Sequence, residues 1–509
     1  MKKILTSPLL YLIALNLIAG LLTFRDFGMS WDEPLFYNYA DSIRTAYSPD
    51  AFSPNFDFEQ VYGKSAEDHK IYGPAYLLLA HPFQEAAKFL FQTDMASAWH
   101  LVNFLTFQIG LIVFYLFGRR WFDQWPAAAA TAFMAWQPVY WGHAFINPKD
   151  IPFMVIFLIA LASGFSFIDK FEIREKKTWI YLLFASVSLG LASAIRVIGP
   201  LAGVLVLIYA VLQKKWHLIL FLILYGLLSI LVMYIFWPYL WADPLNRLLE
   251  VFKHMSNNPT ELAVLFDGQI FHANDMPRRY LPQILLLTLT EPTWVLFSAG
   301  VIIAFVKIIR SKIEWKLPVL MLGLFFFMLS YLLYNQPSVY DGFRHFFFIT
   351  PPIFLFIGFV FQWFQERLKV YGWVTITVLL LLPGLIGIVQ LHPYEYAFYN
   401  QFAGGLKGAF RTYETEYWLT CYREAIQWSE NNFPGKVLHV QREFSLAQYY
   451  NQDLILKDLG NETEKEILPG DLMLFHSRSD LDIRSIYRKV PVLHTISRNN
   501  ADFCLIKQK

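Results

Sequence analysis

The sequence has little charge and almost no cysteine: charged residues make up 16% of the 509 positions, and cysteine occurs twice. A water-soluble fold of this size needs a charged surface, so the first shortage excludes an ordinary soluble protein. The basic residues that are present fall in short dispersed clusters, and the formal net charge is only +2, which gives no support for a nucleic-acid partner. The chain also lacks a His-Glu-x-x-His metal motif, a phosphate-cradling glycine loop, a nucleophile elbow, internal repeats and low-complexity tracts.

What is abundant is apolar surface: 56% of the residues are hydrophobic and 18% are aromatic. Residues 218–237, 317–334 and 371–391 contain no charge over the length needed to cross hydrocarbon. Met1-Lys2-Lys3 precedes an apolar stretch, but no small-residue cleavage site follows before Arg25-Asp26, so residues 7–24 read as a retained first span. Further spans are expected at 97–117, 126–145, 151–168, 178–195, 197–212, 218–237, 292–309, 317–334, 346–364 and 371–391. The expected fold class is mainly α: a polytopic transmembrane helical bundle of about eleven spans, over residues 1–391. Residues 392–509 read as a small extracytoplasmic α/β domain.

If Lys2-Lys3 is cytoplasmic, the basic turns at 119–120, 170–177, 214–215, 307–316 and 367–369 all fall on the cytoplasmic side. The opposite side then holds residues 25–96, the Asn147-Pro148-Lys149-Asp150 turn, 238–291, 335–345 and everything after His392. Leu35, Phe36, Tyr39, Ala40 and Ile43 recur at helical spacing, as do Leu245, Leu248, Leu249, Phe252 and Met255, which predicts two helices lying in the interface. Residues 71–91 fit either a surface helix or a span. In the C-terminal part, an amphipathic helix is expected near 418–431, with strands at 437–440, 471–475 and 503–506. Cys421 and Cys504 both lie there, and the sequence leaves their pairing open.

Three groups carry candidate chemistry. Asp32 and Glu33 follow the first span beside Trp31 and Phe36, at a boundary where carboxylates are costly unless solvated or used. Capping of the next helix is the competing reading. The second outer turn brings His143, Lys149 and Asp150 to the same face, where a solvated turn closed by Pro148 and Pro152 is the plain alternative. Arg196, Arg278, Arg279 with Tyr280, and Arg344 with His345 lie near outer helix ends. Guanidinium groups there suit a phosphate, while snorkelling, or pairing of Arg344 with Asp341, would explain them structurally. Carboxylates and cations at one headgroup level suit displacement of a lipid phosphate from a sugar carbon. Without a phosphate-cradling glycine loop, a nucleotide-sugar donor has no support.

The Asp32-Glu33 pair after the first span, Pro148-Lys149-Asp150 in the second outer turn and the order of spans resemble membrane glycosyltransferases of the GT-C class. The similar branch holds protein O-mannosyltransferases and the aminoarabinose transferase of lipid A. The resemblance covers roughly the first four hundred residues. The stretches 341–345, 392–396 and 416–418 resemble uncharacterised bacterial members of the same branch. It implies a polyprenyl-phosphate-linked sugar donor, contact with membrane lipids and a place in the plasma (inner) membrane, and it leaves open whether the acceptor is a lipid, a glycan or a protein. It implies Asp32 as base or acceptor-orienting carboxylate with Glu33 beside it, Lys149 and Arg344 as phosphate contacts, and Asp150 in support. A divalent cation stays open. No inserted β-trefoil-type domain is present, so a protein acceptor is not implied. The rival reading is a polytopic transporter or a lipid-linked glycan flippase. That would place ionisable groups near the bilayer midplane in two related halves, whereas here the charges gather at one boundary.

Overall fold

A computed structural model describes residues 7–64, 69–172, 175–256, 260–461 and 466–509. Lys2 and Lys3, on which the orientation rests, and two residues of the basic 170–177 cluster lie outside the described residues. The chain opens with α1 (Pro8–Thr23), α2 (Glu33–Ile43), α3 (Ala75–Phe91) and α4 (Met95–Gly118). It continues through α5 (Gln124–Ala135), α6 (Pro138–Ile146), α7 (Asp150–Lys170), α8 (Trp179–Ser193), α9 (Pro200–Leu212) and α10 (Ile219–Ile235). Then come α11 (Pro244–Ser256), α12 (Tyr280–Thr288), α13 (Pro292–Ile309), α14 (Lys316–Asn335), α15 (Pro351–Arg367) and α16 (Val370–Leu391).

Among the described residues, six helices are long and apolar enough to cross a membrane: α4, α7, α10 with the turn before it, α13, α14 and α16. Helices α4 and α7 are largely buried inside the protein, whereas α10 and α16 leave most of their apolar side chains on the outside. Leu220 on α10 is 73% exposed and Val389 on α16 is 77% exposed, which is where lipid serves as the packing partner. Helices α1 and α9 are apolar but shorter.

Two expected spans are corrected. Residues 126–145 are not one helix, because Pro138 has no N–H to continue the ladder and drives Gln137 into extended geometry. The Gln137 carboxamide repairs the break. It donates to the Phe133 carbonyl and to Thr290, both at 3.0 Å, and accepts from the Thr290 amide at 2.9 Å. Residues 346–364 likewise begin as a 3-10 segment, Arg344–Ile349, and become α-helical only at Pro351-Pro352.

Helix α2 buries Phe36, Tyr39, Ala40 and Ile43. Helix α3 lays Tyr76, Ala80, His81 and Gln84 against the protein, with Phe83 and Phe89 facing out. The apolar stripe of α11 stays exposed at Leu245, Leu249 and Phe252.

After α16 the chain turns back along α6 and reaches a five-stranded sheet. It contains β3 (Val437–Val440), β4 (Ile455–Asp458), β5 (Leu472–His476), β6 (Val492–Arg498) and β7 (Ala501–Gln508), in the order β4-β3-β5-β7-β6. Strand β3 runs parallel to β4 and β5, and β7 runs antiparallel to β5 and β6. Helices α17 (Tyr422–Asn432) and α18 (Phe444–Tyr450) complete this part. A disulfide joins Cys421 to Cys504 of β7, with their Cα atoms 5.8 Å apart. The helix expected from residue 418 starts only at Tyr422, because the buried Glu416 carboxylate accepts the Leu419 and Thr420 amides and holds them in a turn. A hairpin of β1 (Ala263–Phe266) and β2 (Gln269–His272) lies in the long segment after α11 and was not expected.

Candidate active site

Arg344 is the hub. Its guanidinium lies 3.2 Å from Asp32, 3.3 Å from Asp150 and 3.1 Å from Asp341. The ring of Trp418 lies 4.9 Å from its central carbon and that of Tyr340 5.4 Å. A buried cation needs such partners, since an unpaired charge in this surrounding would be expelled or neutralised. The turn that delivers Arg344 passes through left-handed Asp341 and Gly342, and Tyr280 clasps it. The Tyr280 hydroxyl accepts from the Gly342 amide at 3.1 Å and donates to its carbonyl at 3.3 Å.

Asp32 sits at the amino end of α2 with its side chain 25% exposed. Burial alone would raise its carboxyl, but Arg344 and Lys149 outweigh that and hold it below the usual carboxylate range. Glu33 points elsewhere. It accepts from the Ser30 amide and the Tyr37 hydroxyl, and meets His100 at 3.0 Å in a fully buried position. It holds the loop before α2 onto α4 and has no contact with Arg344.

The second outer turn is organised by Asn147. Its side-chain oxygen accepts from the amides of Lys149 at 3.1 Å and Asp150 at 2.8 Å, which fixes the turn leading into α7. Its NH2 group reaches His143 Nδ1 and the Asp150 carboxylate, each at 3.0 Å. With His143 Nδ1 accepting, Nε2 carries the proton and donates to the Tyr417 hydroxyl at 2.9 Å. His143 thereby supports the site from behind. Arg196 pairs with Asp150 from the other side.

The Lys149 ammonium rests 5.0 Å over Phe36 and 4.5 Å over Tyr72, and among the described residues no carboxylate lies within ion-pair distance of it. Burial pulls its pKa down to about 8, with Arg344 and Arg196 adding to the effect and Asp32 opposing it. His345 borders the same cations and stacks edge-on to Tyr340 at 4.8 Å; burial, then Arg344 and Arg196, keep it well below its ordinary value. Arg278 is not brought in: it is exposed and donates to Gln336 at 3.1 Å. Arg279 pairs with Asp267 at 2.8 Å.

The C-terminal part supplies partners that sequence reasoning missed. Arg478 donates to Asp341 and to the Tyr417 carbonyl, both at 2.6 Å. The guanidinium groups of Arg442 and Arg478 lie 4.6 Å and 4.3 Å from the ring centre of Trp31, next to Asp32. The Trp31 amide donates to the Trp418 carbonyl at 3.0 Å. Among the described residues no three His, Cys, Asp or Glu side chains form a metal-holding group.

The model of the family described as dolichyl-phosphate-mannose-protein mannosyltransferase matches residues 82–241. That segment holds His143, Lys149, Asp150 and Arg196, but neither Asp32 nor Arg344. No curated protein matches the chain. Among solved structures, ArnT from Cupriavidus metallidurans in its apo state is similar with a TM-score of 0.53 and 12% identity, over 98% of this chain and 97% of ArnT. ArnT bound to undecaprenyl phosphate gives a TM-score of 0.52 and 10% identity over the same shares. The apo oligosaccharyltransferase of Archaeoglobus fulgidus gives 0.52 and 10% identity, over 94% of this chain and 70% of that one. The chain thus has the GT-C fold of membrane glycosyltransferases, and its residues 82–241 carry the sequence pattern of the mannosyltransferase family.

Proposed function

We propose that this protein transfers a sugar from a polyprenyl-phosphate-linked donor to an acceptor hydroxyl on the extracytoplasmic side of the plasma membrane. The observation that carries the reading is that a partly accessible Asp32, held below the usual carboxylate range, lies in one site with a Lys149 ammonium that has no carboxylate within ion-pair distance among the described residues. In this scheme the acceptor oxygen attacks the sugar carbon and gives its proton to Asp32. The carbon–oxygen bond to the lipid phosphate breaks, and the departing phosphate takes its place between Lys149, Arg196 and Arg344. Forked guanidinium contacts suit the phosphate oxygens, and the ammonium supplies a point charge. The ArnT structure with undecaprenyl phosphate and the mannosyltransferase model over 82–241 support a lipid-phosphate donor. The disulfide supports an oxidising, extracytoplasmic setting for residues 392–509.

The test is to purify the full chain in detergent and offer a panel of polyprenyl-phosphate sugars with an envelope extract as acceptor. Released polyprenyl phosphate is then measured for wild type and Asp32→Asn. The expected result is acceptor-dependent release that falls at least a hundredfold in Asp32→Asn, the scale of a lost general base. Unchanged release would remove Asp32 from that role. No release with any donor, from a protein shown to be folded, would overturn the reading.

A further inference from the structure

A cavity of about 770 Å³ lies at the far ends of the same helices that build the candidate active site. Helix α4 carries His100 beside Glu33 at one end and is followed by Arg119 and Arg120 at the other. Helix α7 starts at Asp150 and finishes at Asp169 and Lys170, while α8 starts near Tyr181 and leads to Arg196. Twenty helical residues span about 30 Å, the thickness of the hydrocarbon layer. The cavity therefore faces the opposite leaflet, out of reach of any phosphate held by Lys149.

Its walls are apolar, formed by residues such as Val113, Leu116, Ile159 and Phe184, and its end is polar. Three cations, Arg119, Arg120 and Lys170, meet there with one carboxylate, Asp169. Arg120 already pairs with Asp169 at 2.7 Å, and Asp169 also accepts from Tyr209 at 2.7 Å. Arg119 donates one N–H to the Phe122 carbonyl, and the Lys170 ammonium rests 5.3 Å over the Tyr181 ring. Among the described residues, two cations, Arg119 and Lys170, thus remain without an ion pair to a carboxylate at the mouth of an apolar cleft. The volume falls in the range of a ligand-sized site, and a basic rim at headgroup depth selects against lipids that bring a cation of their own.

We propose that this cavity is a binding site for an anionic glycerophospholipid of the leaflet opposite Asp32, its acyl chains along α4, α7 and α8 and its phosphate between Arg119 and Lys170. The inference does not depend on the sugar-transfer reading. The test is native mass spectrometry of the full chain, titrated with phosphatidylglycerol or phosphatidylcholine of matched acyl chains. Wild type should retain phosphatidylglycerol about tenfold better. The double variant Arg119→Gln/Lys170→Gln should lose that preference, Ala162→Phe should block both lipids with the cations intact, and Arg310→Gln, an exposed cation elsewhere, should change nothing. Equal retention of the two lipids by wild type, a preference unchanged in the double variant, or dimers in place of lipid adducts would each overturn it. If Ala162→Phe fails to fold, the double variant decides.

Discussion

At the scale of single residues, the candidate site is a problem of shared charge. Arg344 serves three carboxylates, and Arg196 and Arg478 relieve it by taking a second oxygen of Asp150 and Asp341. Among the described residues Lys149 is the cation of this site without an ion pair, and its pKa of about 8 has a consequence. It is protonated below that value and loses its charge as the pH rises through it. If the charge holds the departing phosphate, sugar transfer declines above about pH 8, while the acid limb lies below the usual carboxylate range because Asp32 stays ionised. Lys149→Arg should move the alkaline limb up by at least one unit in a pH–rate profile; a limb that stays put would assign it to another group. Asp32, Lys149, Asp150 and Arg344 were legible in the sequence because charge beside long apolar runs is costly and needs a reason. Arg442 and Arg478 were not, since an arginine in a polar segment is ordinary until the fold brings it to Trp31. Glu33 shows the converse: adjacency to Asp32 in sequence says nothing of direction on a helix, where the next residue turns by about 100°.

At the scale of elements, apolar runs without charge located most of the helices, but length alone hid the breaks. Pro138 and the Pro351-Pro352 pair mark both interruptions, and the signal was present in the letters. The hairpins were also readable by turn chemistry. Asp267-Gly268 and Asn499-Asn500 both take left-handed conformations between apolar strands, the pattern of tight two-residue hairpin turns. What no local pattern shows is docking between distant elements. Gly28 is such a case: a Cβ there would lie 2.0 Å from the Thr420 carbonyl oxygen. Gly28→Ala must push the 416–420 turn away from the loop that bears Asp32. We expect at least a tenfold loss of kcat with the helical circular-dichroism signal retained, measured in the same release assay; full activity would show that the two loops part without consequence.

For the whole molecule, the polar chemistry collects at one end of the helical bundle and the C-terminal sheet closes over it. The Cys421–Cys504 bond ties the turn that carries Trp418 to β7 across a separation of 83 residues. Replacing both cysteines by serine should weaken the C-terminal part by about 2–5 kcal/mol. The readout is faster protease cleavage after residue 391, with a loss of sugar transfer that parallels it and with the helical bundle intact. Contacts to Arg344 and to Trp31, the neighbour of Asp32, come from positions 150, 341, 418, 442 and 478. Asp32, made near the start of the chain, therefore has its surroundings completed only when almost the last part of the chain has been made. Arg478 reaches Asp341 and Trp31 from beyond α16, the last of the long apolar helices among the described residues, so this corner of the protein is assembled after the helical bundle.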